Sequence, residues 1–250
     1  MRYVKGSVVA VAMALIAAPV VFAQGRATAP PPAAAGQEGP STAIAGGGIK
    51  VAGWMGKVDA NEEKSGLTVN SAKFVAEGAN LHVTTGPATT YWNPKNVASG
   101  DYTVKATFTE SDYMGLNDHP HPYGIVIAGS EMGTANQNYL YCSAYGNGTF
   151  IVRGFAADAT PNGTFSLGPR RAAANDAVHK AEAQHKPVTQ EIAVQVKGDS
   201  VSCIINGTAV ATFPKTDAVG AGKLKSTDGI YGIRFAHNTD AVVTGLTLVK

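Results

Sequence analysis

From Asn138 to Tyr145 polar and apolar side chains alternate. Tyr139, Tyr141, Ser143 and Tyr145 share one parity, and Leu140, Cys142 and Ala144 the other. A period of two is the signature of a half-buried strand. Small and apolar groups are therefore expected inward, and a row of phenol rings outward. Gly146-Asn147-Gly148 supplies a hairpin turn, and Thr149 to Phe155 returns as the partner strand. The same rhythm runs from Asp101 to Glu110: Tyr102, Val104, Ala106 and Phe108 fall on one side, Thr103, Lys105, Thr107 and Thr109 on the other. β-Branched residues on the polar side suit a pleated surface.

The pattern predicts further strands at Ala79–Thr85, Thr89–Trp92, Tyr123–Ala128, Gln190–Lys197, Ser200–Ile205, Thr208–Phe213, Gly229–Phe235 and Ala241–Val249. Ile49 to Asp59 opens the domain, with Val51 and Trp54 as anchors, and Leu67 to Val75 is a weak strand or loop. Ala156 to Pro187 is irregular, with one helix candidate at Asp176–Gln184 capped by Asn175. More than ten short strands without a βαβ rhythm predict an all-β fold, a two-sheet antiparallel β-sandwich spanning 49–250.

The first residues have another pattern. Arg2 and Lys5 precede an apolar run from Val8 to Phe22, and Val21-Phe22-Ala23 is a small-x-small site. Residues 1–23 therefore read as a signal peptide, and the mature chain as secreted or periplasmic, without a membrane span after cleavage. Residues 24–48, rich in Pro, Ala and Gly, read as a disordered linker. Net charge is +2 with 15% charged residues, and no basic cluster exceeds Arg170-Arg171, so no nucleic-acid partner is expected. No cofactor motif is present, and none is expected.

Cys142 and Cys203 both fall at core-facing parity. In an oxidising compartment an even count favours a disulfide, while two free thiols filling core space are the alternative. Facing sheets stand about 10 Å apart, so a bridge needs neighbouring or converging strands. Asn-Gly-Thr occurs at Asn147, Asn162 and Asn206. It matches the glycosylation acceptor, but Asn-Gly is also the preferred hairpin turn, and all three are read as turns.

Several longer stretches carry a family likeness: HPHPYGIVIAGSEM, NQNYLYCSAYGNGTFIVRGF, NDAVHKAEA, the IAVQVKGDSVSCIINGTAV hairpin and the final GIYGIRFAHNTDAVVTGLTLV. Over Tyr102 to Lys250 the chain resembles secreted bacterial proteins with the concanavalin-A-like lectin/glucanase jelly roll. These are similar to 3-keto-disaccharide hydrolase-like domains. The resemblance implies the jelly roll, export and a carbohydrate association.

Outward Tyr139, Tyr141 and Tyr145 beside Arg153 form the candidate ligand platform, since phenols offer flat faces and hydrogen-bonding tips to sugar rings. Asn136 and Gln137, with His119 and His121, complete the candidate ligand-binding set. The alternative is that the 156–187 loop covers these rings and they are simply packed. His119-x-His121 invites a metal reading, but prolines 120 and 122 hold it in a loop and no third ligand lies nearby in sequence, so a structural role is preferred and no metal is expected. No strand carries the alternate acidic residues of glucan hydrolases; Glu110 and Asp112 are the nearest pair. The reading is thus an exported, non-catalytic module that binds a saccharide or glycan. Two alternatives remain: a hydrolase or lyase on a 3-keto-type disaccharide using Glu131, Asp112 or His121, and an envelope module that contacts protein.

Overall fold

The computed structural model describes residues 39–159 and 163–250. In chain order the first elements are β1 (Gly48–Lys50), β2 (Met55–Val58), the short helix α1 (Ala60–Lys64), β3 (Lys73–Glu77), β4 (Asn80–Thr84), β5 (Thr89–Ala98) and β6 (Tyr102–Glu110). Next come β7 (Pro122–Ser130), β8 (Asn138–Tyr145), β9 (Thr149–Phe155), β10 (Thr164–Ser166) and β11 (Ala173–Ala174). The last are β12 (Val188–Lys197), β13 (Ser200–Ile205), β14 (Thr208–Pro214), α2 (Lys215–Ala218), β15 (Gly229–Phe235) and β16 (Asp240–Val249). One sheet runs β1-β3-β4-β16-β6-β12-β13-β14, the other β10-β9-β8-β7-β15-β5-β2, with β11 beside β9. Among the described strands only β1 and β3 pair in parallel.

The alternation read from the sequence places the core. Val104, Ala106 and Phe108 of β6 and Ile192, Val194 and Val196 of β12 face Ile125 and Ile127 of β7 and Leu140, Cys142 and Ala144 of β8, all buried in one cluster. Sheet-on-sheet packing of two half-apolar faces is what makes each strand stable. Asn206 and Gly207, with φ of 49° and 80°, form the two-residue turn between β13 and β14. Both central residues at positive φ is the requirement of a type I′ hairpin, which explains the Asn-Gly pair. Asn147 stands in the β8–β9 turn, where its Oδ1 accepts from Thr149 N and Oγ1. Asn162 lies outside the described residues.

Cys142 in β8 and Cys203 in β13 are joined as a disulfide across the two sheets, with Cα atoms 5.7 Å apart. The sheets therefore converge at this point, well inside their usual separation of about 10 Å.

Two expectations need correction. No helix forms at 176–184. Asn175 Oδ1 does accept from Ala177 N, but the Ala177 carbonyl is taken by Asn206 Nδ2 and Ala181 N donates to Gly146 O, so the segment runs as turns along the β8–β9 hairpin. The signal peptide and residues 24–38 of the expected linker lie outside the described residues, but 39–48 belong to the sandwich. Thr42 N donates to Asn238 Oδ1, Ile44 N to Ser71 O and Gly48 N to Ala72 O. Gly47 and Gly86 allow that contact: a Cβ on Gly47 would stand 2.2 Å from Asn70 O, and one on Gly86 2.0 Å from Thr42 O. Among the described residues no helix is long and apolar enough to cross a membrane.

Candidate functional site

The predicted tyrosine row has the facing that its parity requires but not the exposure. Tyr139 is fully buried and Tyr141 is 8% exposed. Together with Val126 and Ile151 they form a second apolar cluster on the far side of the sheet from the main core, with Met132, Tyr145 and Phe155 packed against it. Tyr139 and Phe155 rings are 5.0 Å apart, centre to centre. The expected sugar platform on Tyr139 and Tyr141 is therefore corrected: these rings are sealed. Among the described residues of the 156–187 segment none joins this cluster; they line the β9 edge through β10 and β11 and send Leu167 and Val178 into the main core.

Arg234, which the sequence reading passed over, closes this face. It stands on β15 at outward parity, between Thr90 of β5 and Gly124 of β7. Its guanidinium grips Asp59 with both arms, at 2.8 and 2.6 Å, and donates to Thr90 Oγ1 at 2.9 Å and Tyr139 Oη at 3.2 Å. It also lies 5.1 Å from the centre of the Tyr141 ring and 4.9 Å from that of Phe155, within cation–π range. Burial opposes the charge, and the Asp59 carboxylate more than restores it, holding the guanidinium pKa well above its usual value. Burial pushes the Tyr139 phenol above its usual range as well, so the hydroxyl stays protonated. The only sequence sign of this knot is a charge inside the GIYGIRF alternation.

The remaining ligand candidates separate into two places. Arg153 lines an open groove of about 740 Å³ at the β9–β10 edge, with Asp158, Thr164, Phe165, Ser166, Arg170, Gly222 and Lys223 among its walls. Its Nη2 donates to Arg170 O, and Asp158 Oδ2 accepts from Gly222 N at 2.9 Å. The Phe165 ring lies over Gly154, where any Cβ would collide at 2.2 Å. An adjoining hollow shares Asp158 and Lys223 and adds Glu131, Asn136, Asn138 and Lys225. Gln137 is buried beside it. Glu131 is exposed and pairs with Lys225 at 2.9 Å.

His119 and His121 lie at the other end of β7, and Asp112 precedes them in the same loop, paired with His185 at 2.7 Å. Nine residues of β7 separate His121 from Glu131, about 30 Å at roughly 3.3 Å per residue. A glycosidase pair needs carboxyls roughly 5–9.5 Å apart. Glu131 therefore cannot form such a pair with Asp112, and the three acid/base candidates stand at two separate places. The absence of a third histidine ligand was a limit of sequence proximity: His237, which follows β15, meets His119 and His121 in space, with ligand atoms of all three within 4.8 Å of one another. Burial pushes the His121 pKa down to about 4.

Glu110, at the exit of β6, is buried. Its Oε1 accepts from Met114 N at 3.1 Å, and Oε2 has no partner among the described residues. Burial raises its pKa to about 7, against the Met114 hydrogen bond, with Asp240 and Asp112 adding to the rise. In the unfolded chain the carboxyl ionises near 4.5, so between these values the unfolded state binds fewer protons. Stability is then expected to fall by about 3 kcal/mol as pH rises from 4.5 through 7. Urea midpoints for the parent and Glu110→Gln check this: the variant should lose most of that slope.

No protein-family model and no curated protein matches the chain. Solved structures do. A Bacillus subtilis protein of unknown function with a galectin-like fold superposes with TM-score 0.50 at 14% identity, covering 84% of this chain and 97% of its own. The endo-β-1,3-glucanase of Pyrococcus furiosus superposes with TM-score 0.50 at 11% identity, covering 78% of this chain and 88% of its own. At such identities the likeness is one of fold. The chain is a jelly-roll β-sandwich of the kind that galectin-like and glucanase structures share.

Proposed function

We propose that the protein is an exported saccharide-binding sandwich whose ligand lies in the β9–β10 edge groove and carries negative charge, as a uronic-acid glycan does. The observation that carries this is the groove itself. Its volume falls in the range of ligand pockets, and Arg153, Arg170 and Lys223 outnumber its one carboxylate, Asp158. Guanidinium forks suit carboxylates, and the Phe165 edge offers an apolar surface to a sugar ring. The glucanase likeness lends the carbohydrate class by analogy of fold. Hydrolysis is not part of the reading. Glu131 and Asp158, the acids of the groove and its neighbour, are each already engaged, Glu131 with Lys225 and Asp158 with the Gly222 N–H.

Calorimetric titration with acidic and neutral oligosaccharides tests this. Acidic chains should bind, binding should weaken with salt, and Arg170→Ala or Lys223→Ala should each lower affinity about tenfold. Equal binding of neutral chains by parent and variants would contradict the charge assignment. Release of reducing ends that Glu131→Gln abolishes would make the protein an enzyme instead, and a stable protein partner indifferent to sugar would make it an envelope module.

A further inference from the structure

The end of the sandwich opposite the groove gathers three histidines whose rings are held by outer partners. His119 Nδ1 meets Asp118 Oδ1 at 2.7 Å. His121 Nδ1 meets the His237 carbonyl, with the Asn117 amide beside it also donating to the Asn238 carbonyl at 2.9 Å. His237 Nδ1 lies 3.3 Å from Ser41 Oγ, whose hydroxyl donates to Glu62 Oε1 at 2.8 Å. A carboxylate and a carbonyl only accept, and the Ser41 hydrogen is engaged by Glu62. With the two Asn117 Nδ2 hydrogens assigned to the His237 and Asn238 carbonyls, His121 Nδ1, like the Nδ1 of His119 and His237, carries the ring proton, and each Nε2 is the basic nitrogen. Those of His119 and His121 face each other at 2.7 Å. Two nitrogens so close share either a proton or a metal ion between them.

We propose that His119, His121 and His237 bind a single divalent transition ion, with zinc the reference case, leaving a fourth position open to solvent on the His119 side. An outer acceptor behind each imidazole is the pattern that orients metal-binding histidines. Three protein ligands with an open position is the pattern of reactive rather than structural zinc. The fold supplies the preorganisation. Pro120 and Pro122 restrict the backbone around His121, and Ala236 N donates to Pro122 O, extending the β7–β15 ladder to the point where His121 and His237 emerge together. His121 and His237 are 7% and 9% exposed, whereas the His119 side chain is 33% exposed and forms the open side. Ligands on a tetrahedral zinc at about 2.0–2.1 Å stand about 3.3 Å apart. The two Nε2 atoms reach that separation by parting roughly half an ångström, within the motion of a loop side chain.

The test uses tag-free protein, stripped with chelator and titrated with zinc chloride, and Co²⁺ as a spectroscopic probe. One equivalent should bind, with the visible absorption of a tetrahedral nitrogen-ligated Co²⁺. Asp118→Asn, which keeps every ring but removes the outer charge, should weaken binding about tenfold. His119→Gln, at a half-exposed loop position that leaves the fold intact by circular dichroism, should weaken it by more than that and abolish the Co²⁺ band. Substoichiometric zinc in the parent, or undiminished binding by His119→Gln, would overturn the site. Loss of saccharide binding alone would not, since the groove lies at the far end of β7.

Discussion

Asp59→Leu is expected to destabilise the sandwich by about 3–5 kcal/mol, the usual cost of leaving one partner of a buried ion pair uncompensated. The reason is local. Arg234 is 8% exposed, and without the Asp59 carboxylate its charge rests only on the Thr90 and Tyr139 hydroxyls and the faces of Tyr141 and Phe155. A guanidinium has no neutral form to fall back on at any accessible pH. Adding Arg234→Met to Asp59→Leu should restore much of the loss, because Thr90 Oγ1 and Tyr139 Oη, 2.8 Å apart, still satisfy each other and an apolar pair fits the ring cluster. Chemical denaturation of the two single variants and the double closes the cycle. An Asp59→Leu cost under 1 kcal/mol would mean that water reaches the guanidinium and the face is open after all.

Removing the disulfide should have a comparable effect. Cys142 and Cys203 close a loop across a sequence separation of 61 residues, for which chain entropy gives about 4 kcal/mol. The Cys142→Ala/Cys203→Ala protein should therefore melt on the order of 10 °C lower, taking about 2–4 °C per kcal/mol for a domain of this size. The bridge joins β8 to β13, one strand of each sheet, so the loss should appear as global unfolding rather than fraying of an edge. A melting temperature unchanged by the pair of substitutions would show that the sheets do not depend on the link.

Strand positions and facings were readable because a period of two survives any tertiary arrangement: Leu140, Cys142 and Ala144 face inward as their parity requires. What covers the opposite face was not readable. Parity reports which side a ring takes, whereas its exposure depends on Asp59 and Arg234, 175 residues apart and joined only in the fold. The third histidine was hidden for the same reason, since β7 and β15 become neighbours through the sheet and not through the chain. The docking of residues 39–48 was missed because composition weighs side-chain burial, and this segment is held by backbone hydrogen bonds that glycines make sterically possible.

The most direct test of the saccharide assignment is amide chemical-shift mapping on isotopically labelled protein during titration with an acidic oligosaccharide. Perturbations should concentrate at Arg153, Thr164–Ser166, Arg170 and Gly222–Lys223, with Tyr139 and Tyr141 unmoved. Shifts centred on the tyrosine strand, or none in the groove at saturating ligand, would contradict it.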